Sequence, residues 1–286
     1  MSTPVANETG APSLPKDETR RATPPAPRKD RGFAWFAWRA WLPILLFVWW
    51  WIGSAGSDSL YFPPLQEILR TFGQEWLGEG LTRDLLPSLG KFLAGFGISA
   101  VGGIVLGLIL GMNKWLRAAF DPLIMFMRSV PGPVLVPIGI LVIGIGAGMN
   151  VFIIVLGALW PTLLGTIDGV RSLDSQLRDM TRSYRLTMGQ RIRYVVLPNA
   201  GPQIFAGLRT TLQISIILIV VSEMVASTNG IGFRLLLSQQ TFSVPETWAG
   251  TLLLGIIGYL TTLIFLQVEK RVLGWQHGML AAAGKE

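Results

Sequence analysis

The sequence predicts an all-α polytopic membrane protein with about six transmembrane helices. Three observations carry that expectation. Half of the 286 residues are hydrophobic, 14% are charged and the mean hydropathy is +0.49, well beyond what a soluble domain needs to build its core. Several apolar stretches reach the roughly 20 residues that a helix needs to cross a hydrocarbon layer about 30 Å thick. Lysine and arginine gather in those segments that would share one side of the bilayer. Cysteine is absent, which excludes disulfides and thiolate chemistry. The single histidine, His277, stands in the C-terminal tail without ligand-type neighbours, so no metal site is expected.

Residues 1–32 are rich in Pro, Thr, Ala, Lys, Arg and Asp and poor in large apolar side chains, so they cannot offset the entropy cost of ordering. They read as a disordered, basic cytoplasmic tail. The first span covers 33–52, with Arg39 inside it and Trp35, Trp38 and Trp41 placed for a membrane interface. A cleaved secretory signal is the rival reading, because the densest part is short and Ser54-Ala55-Gly56 offers small residues. The long preceding segment and the tryptophans favour an anchor.

Next, in FPPLQEILRTFGQEWLGEG, Leu65, Ile68, Leu69, Phe72 and Trp76 recur at helical spacing, which predicts a surface helix lying against the bundle. Further spans are expected at 88–112, 122–145, 150–167, 202–226 and 249–268. Gly103, Gly107 and Gly111 stand four apart on the second span and let another helix approach closely. Asp121-Pro122 reads as the start of the third span. Pro131, Pro133 and Pro137 then interrupt it, so its irregular backbone must be packed inside protein or line a water-filled path; a packing kink is the plainer alternative. The transmembrane domain thus covers 33–272, with a long loop at about 168–201 and a cytoplasmic tail at 273–286.

Charge placement sets the topology. With an inner amino terminus, the inner side receives the tail cations, Arg39, Lys114, Arg117, Arg171, the loop arginines, Lys270 and Arg271. The outer side receives Arg70, Arg83 and Arg234. Positive residues near spans resist translocation, so both termini are expected in the cytoplasm. The formal charge of +7 then reports topology, and nucleic acid is not expected as a partner.

The most basic stretch is RDMTRSYRLTMGQRIRYVVLP, residues 178–198, with five arginines and one acidic residue. Advancing 100° per residue places Leu177, Met180, Tyr184 and Met188 in one stripe and Arg178, Arg182 and Arg185 opposite. This predicts an amphipathic helix ending near Gly189, then a second helical stretch ending at Pro198. The methionines and tyrosine suit contact with a partner protein, while the arginines alone would also suit solvent or anionic lipid.

At this loop the sequence resembles the permease subunits of binding-protein-dependent ABC importers, in the branch with nitrate, sulfonate, taurine and bicarbonate systems. That family carries a cytoplasmic Glu-Ala-Ala, three residues, Gly, about nine residues, Ile-x-Leu-Pro pattern. Val195-Val196-Leu197-Pro198 matches its end, Asp179-Met180-Thr181 falls at Glu-Ala-Ala, and Arg185 falls on the glycine, a departure that bears on the turn. LYFPPLQEILRTF, the segment from Leu85 to Ile124 and VVSEMVASTNGIGFRLL are similar to other parts of that branch, extending the resemblance over about 60–271.

The resemblance implies a type I importer fold and a multi-pass protein of the bacterial cell (inner) membrane. It implies separate ABC ATPase subunits that bind ATP and Mg, an extracytoplasmic solute-binding protein, and a permease homodimer. It implies that the loop is a coupling helix, with Asp179, Met180, Thr181, Arg182, Tyr184 and Arg185 at the ATPase and with Leu197 and Pro198 fixing the return to the membrane.

The chain lacks a phosphate-binding Gly-x-x-x-x-Gly-Lys-[Ser/Thr] loop, since Gly90-Lys91 is followed by Phe92, and one tail histidine cannot seed a Ser/His/Asp triad. No cofactor in this chain and no catalytic residue are expected. Arg128, Ser129, Arg209, Gln213 and Glu223 lie in or at the ends of spans and are candidates for the translocation pathway, because ionisable groups there need a cavity or a partner. Arg128 and Arg209 could instead reach the inner interface and Glu223 the outer one. The resemblance implies a small, anionic solute of the sulfonate, nitrate or taurine kind as cargo, with which an inward-facing arginine agrees. An ion-coupled secondary transporter and a membrane scaffold recruiting a soluble partner are the competing functions.

Overall fold

The computed structural model describes residues 32–274, with side chains from Trp41 onward. The two tails and His277 lie outside the described residues. The chain divides into two compact units between Trp49 and Trp50. The first contains most of α1 (Gly32–Ser54), a helix that takes Pro43 into its interior. Its part Trp41–Ser54 is apolar but by itself shorter than a span.

The second unit is entirely helical among the described residues. Its core is three long helices, α3 (Leu86–Met112), α6 (Ala147–Arg171) and α9 (Leu197–Ala226). Glycine sets their separation. A Cβ on Gly95 would lie 2.7 Å from Ile154, one on Gly103 2.9 Å from Thr162, one on Gly107 2.5 Å from Thr166 and one on Gly111 2.9 Å from Val170. The expected glycine row therefore seats α3 directly on α6. The opposite seam repeats the device: a Cβ on Gly207 would stand 2.6 Å from the Pro161 carbonyl and one on Gly169 2.8 Å from Ala200. In lipid, close approach of this kind replaces the hydrophobic drive that associates helices in water. Met149, Ile153, Ile154 and Ala158 fill the centre. The hydroxyls there are satisfied, Thr162 and Thr211 to each other at 2.7 Å, and Ser99, Thr166 and Ser215 to their own helices.

Both α3 and α9 begin with a π-helical turn, Leu81–Leu85 and Ile192–Val196, and each turn is followed by a Leu-Pro pair, Leu86-Pro87 and Leu197-Pro198. Proline offers no N–H and crowds the carbonyl four residues back, so the backbone widens just before it and the helix continues. The fifth expected span accordingly starts well before Pro202, and the continuous helical runs are Leu81–Met112 and Met188–Ala226.

The third expected span is corrected in two ways. Its helix, α4 (Lys114–Ser129), starts not at Asp121 but after Asn113, whose side chain accepts from the Trp115 and Leu116 N–H groups; Pro122 lies in the helix interior. Beyond Ser129 the chain turns through 94° into a 3-10 turn (Gly132–Leu135) and the short α5 (Val136–Ile143). Val130 and Pro131 are extended, the conformation that a following proline or its own ring favours. One face of this irregular backbone is covered by protein, where a Cβ on Gly132 would meet Leu218 of α9 at 2.5 Å and one on Gly139 would meet Ile153 of α6 at 2.9 Å, while Pro131, Val134, Ile138 and Leu141 on the other face are exposed.

Among the described residues, four helices can span a membrane by length and hydropathy, or five when the bent pair counts as one, and Trp41–Ser54 of α1 is a shorter apolar helix. The predicted surface helix is α2 (Leu65–Trp76), which buries Leu65, Ile68 and Trp76. Trp76 packs with Ile231, Ala249 and Leu253, which belong to α10 (Ile231–Gln240) and α11 (Val244–Val272).

Candidate functional site

At one end of the bundle the chain leaves α6, forms α7 (Ser175–Ser183) and α8 (Met188–Arg191), and enters α9. The sequence predicts one helix reaching Gly189; the structure ends it at Ser183. Arg185 takes a left-handed backbone conformation, φ 50°. The Arg185 N–H donates to the Arg182 carbonyl at 3.0 Å and the Leu186 N–H to the Thr181 carbonyl at 3.1 Å. These two bonds make the helix-ending turn in which glycine normally takes the left-handed position. The left-handed turn falls where the family pattern has glycine, and Arg185 adopts it with a side chain attached, a conformation that costs about 1–2 kcal/mol. Thr187 then starts α8 through a reciprocal capping box with Gln190.

The apolar stripe lies open: Leu177, Met180, Tyr184 and Met188 are 41%, 53%, 74% and 59% exposed. Asp179, Arg182 and Arg185 are exposed beside it, with Arg182 and Asp179 only 3.9 Å apart as a solvated pair. Thr181 departs from this set. It is turned inward, 5% exposed, and donates to the Arg178 carbonyl at 2.7 Å, so it braces the helix instead of presenting itself. Leu197 and Pro198 are half-buried at the head of α9, where Asn199 reaches the Gly169 carbonyl and the Ser172 hydroxyl. That contact, with Val170, Leu173 and Val196 packed together, ties both roots of the loop.

The pathway candidates do not form one cluster. Arg128 and Ser129 end α4 and are exposed, the serine hydroxyl donating to the Met125 carbonyl at 2.8 Å. Arg209 reaches Glu269 of α11 at 2.5 Å. Gln213 is exposed on α9, and with Gln203, Ala206, Thr210 and Ile217 it falls within one arc of about 80° at 100° per residue.

Glu223 is enclosed by protein. It is 0% exposed and lies against α3 at the end of the bundle opposite the loop. Ser88 donates to both of its carboxylate oxygens at 2.7 and 2.8 Å, Lys91 donates at 2.9 Å, and the Gly232 N–H donates at 3.1 Å. Next to it the Asp84 carboxylate accepts from the Gly230 N–H at 2.9 Å and from Arg234 at 3.3 Å, while Arg234 also pairs with Glu75 and lies over the Trp76 ring. Burial works to lower the pKa of the Arg234 guanidinium, but hydrogen bonds and charges from Glu75 and Asp84 outweigh it and hold the value above the ordinary arginine one. Sequence reasoning missed Lys91, Ser88 and Asp84. The available signal was the rule that an intramembrane carboxylate needs a cationic partner, with Lys91 one turn beyond Ser88.

An apolar bundle with a structured, exposed basic loop between two of its spans is the architecture of a transporter's membrane subunit. The chain belongs to the family of binding-protein-dependent transport system inner membrane components, whose sequence model matches residues 103–273. It is 29% identical over 266 residues to the putative aliphatic sulfonates transport permease protein SsuC of Bacillus subtilis, covering 93% of this chain and 96% of that one. It is 28% identical to the taurine transport system permease protein TauC of Escherichia coli, covering 83% and 88%. It is 33% identical to the bicarbonate transport system permease protein CmpB of Synechococcus elongatus, covering 64% and 66%. Among solved structures, an inward-facing MetNI methionine ABC transporter matches with a TM-score of 0.59 and 20% identity, covering 69% of this chain and 98% of that one, which shows the shared fold. The resemblance seen in the sequence thus holds: the chain is an ABC importer permease of the nitrate, sulfonate, taurine and bicarbonate branch, a multi-pass inner-membrane protein.

Proposed function

We propose that two copies of this chain form the gated pathway of an ATP-driven importer for a small anionic solute. In this reading the loop from Ser175 to Pro198 faces the cytoplasm and docks on separate ATPase subunits, which bind ATP and Mg and perform the hydrolysis. Both termini lie on that side. An extracytoplasmic binding protein delivers the solute at the opposite end. The observation that carries the proposal is the loop itself: an apolar stripe left in the open, beside a row of arginines, on a helix ended by a fixed turn and rooted in α6 and α9. A stripe of that composition exposed outside the membrane is an interaction surface awaiting a partner.

The solute class is inferred from relatives named for sulfonates, taurine, bicarbonate and nitrate. Gln203, Thr210 and Gln213 supply uncharged hydrogen-bonding groups along one exposed face of α9, a placement that favours a water-filled path between two copies over lipid. Arg128 and Ser129, at the end of a helix bent away from its span, stand as further candidates to meet the solute.

The test is copurification followed by uptake in proteoliposomes. The expected result is association with an ATPase of the same organism and uptake that requires ATP and the binding protein. Uptake driven by an ion gradient without ATP would establish a secondary transporter. Partner binding without any solute flux would establish a scaffold.

A further inference from the structure

The cluster around Glu223 lies at the far end of the helix that the loop enters. α9 is 30 residues long, about 45 Å at 1.5 Å per residue, with Leu197 and Pro198 at its head and Glu223 in its last turn. Three successive backbone N–H groups at the start of α10 are held by side chains from two other helical runs: Gly230 by Asp84 and Ile231 by the Ser88 hydroxyl at 2.9 Å, both from the run Leu81–Met112, and Gly232 by Glu223 of α9. Ser88 accepts from α10 while donating to Glu223, so one hydroxyl joins α3, α9 and α10. Gly230 takes φ 119°, and the backbone is drawn so close that a Cβ there would lie 2.4 Å from the Glu223 carboxylate, and one on Gly232 2.3 Å from the Val220 carbonyl.

A buried ion pair is an expensive way to hold helices together, since apolar side chains of the same volume often do as well. What charge and hydrogen bonds add is direction. The two carboxylates and the serine fix the entry angle and register of α10 on α9, whereas apolar contact would allow it to slide. The C-terminal end of α10, where the Ser238 hydroxyl donates to Glu246 of α11 at 3.2 Å, then carries Gln239, Gln240 and Phe242 into the open, with Phe242 in a left-handed conformation, φ 58°.

We propose that Glu223, Lys91, Ser88 and Asp84 are positioning residues that make α10 a rigid extension of α9, so that displacement begun at the loop is delivered to the α10 surface at the other end. The proposal rests on the reading that ATPase subunits move the loop. α9 and the α10 surface at the end where the binding protein is placed then move as one body, and the latch is the joint between them.

The cysteine-free sequence allows unambiguous spin labelling. Nitroxides are placed by Gln239→Cys on α10 and Ile217→Cys on α9, in the complete complex with the labelled chain diluted into excess unlabelled chain. The distance between them is measured without nucleotide and with ATP trapped. The expected result is one unchanged distance in both states. In Glu223→Gln the distribution broadens, and hydrolysis stimulated by the loaded binding protein falls about tenfold towards the basal rate. Basal hydrolysis and copurified ATPase are retained. Gly232→Ala, which keeps both charges but pushes α10 off α9, gives the same pattern. A wild-type distance that changes on ATP binding, or normal stimulation in both variants, overturns the latch while ATP-driven uptake by the wild type upholds the transport reading. A wild-type complex without such uptake overturns both.

Discussion

Lys91 and Glu223, 132 residues apart in sequence, meet at 2.9 Å in a site closed to solvent. Each charge is tolerated only because the other is there, and the cost of removing one exceeds the worth of the pair. Lys91→Met leaves a buried carboxylate that keeps its Ser88 and Gly232 hydrogen bonds but has no cation, and we expect a loss of about 3–5 kcal/mol. Lys91→Met with Glu223→Gln removes both charges and recovers most of that loss. Thermal unfolding in detergent measures both; equal destabilisation by the single and the double variant would refute the charge argument.

Gly107 and Gly97 lie on the same helix and separate packing from propensity. A Cβ on Gly107 falls 2.5 Å from the Thr166 Cβ and 2.8 Å from the Leu163 carbonyl, while one on Gly97 meets nothing within 4 Å. Gly107→Ala is expected to cost about 1–3 kcal/mol by forcing α3 off α6. Gly97→Ala is expected to be neutral or stabilising by up to ~1 kcal/mol, because alanine is the better helix former. The order of the two unfolding midpoints decides.

Arg185→Gly should stabilise the loop, since glycine adopts the left-handed position without the penalty that a Cβ brings. Slower hydrogen exchange at the Leu186 amide, the group bonded to the Thr181 carbonyl, is the expected signature. Arg185→Val should have the opposite effect, as a β-branched side chain is least compatible with that conformation.

Arg182 and Arg185 are exposed and make no buried contact, so reversing them leaves the fold alone. Arg182→Glu with Arg185→Glu is expected to weaken ATPase association about tenfold and to change its salt dependence, with membrane insertion unchanged. Copurification across a salt series measures this. Normal association in the double variant would place both arginines on a merely solvated face.

Much of the architecture was legible because the bilayer imposes it. Four of the six expected apolar runs, the surface helix through Trp76 and the glycine row on α3 follow from local composition and helical spacing and appear where expected, while the first is short in its described apolar part and the third is broken. Boundaries were less legible. The sequence reading starts the third span at Asp121-Pro122, whereas the structure caps its helix at Asn113, and only the 94° turn after Ser129 shows that the span is broken instead of kinked. At the loop the helical stripe extended arithmetically past Tyr184, while the backbone ended the helix at Ser183 because Arg185 accepted a conformation that its residue type disfavours.

By itself the sequence determined the class of the protein, the spacing of its spans and the basic loop, since burial in lipid and the placement of charge are written in local composition. Tertiary structure decided which polar groups are spoken for. Glu223 looks like a lone intramembrane carboxylate until folding brings Lys91 and Ser88 from α3, and the Gly232 amide, within hydrogen-bonding distance of it. The physical reason is that charge compensation is a contact property. It depends on helices from distant parts of the chain meeting at one height, which no local window of sequence contains.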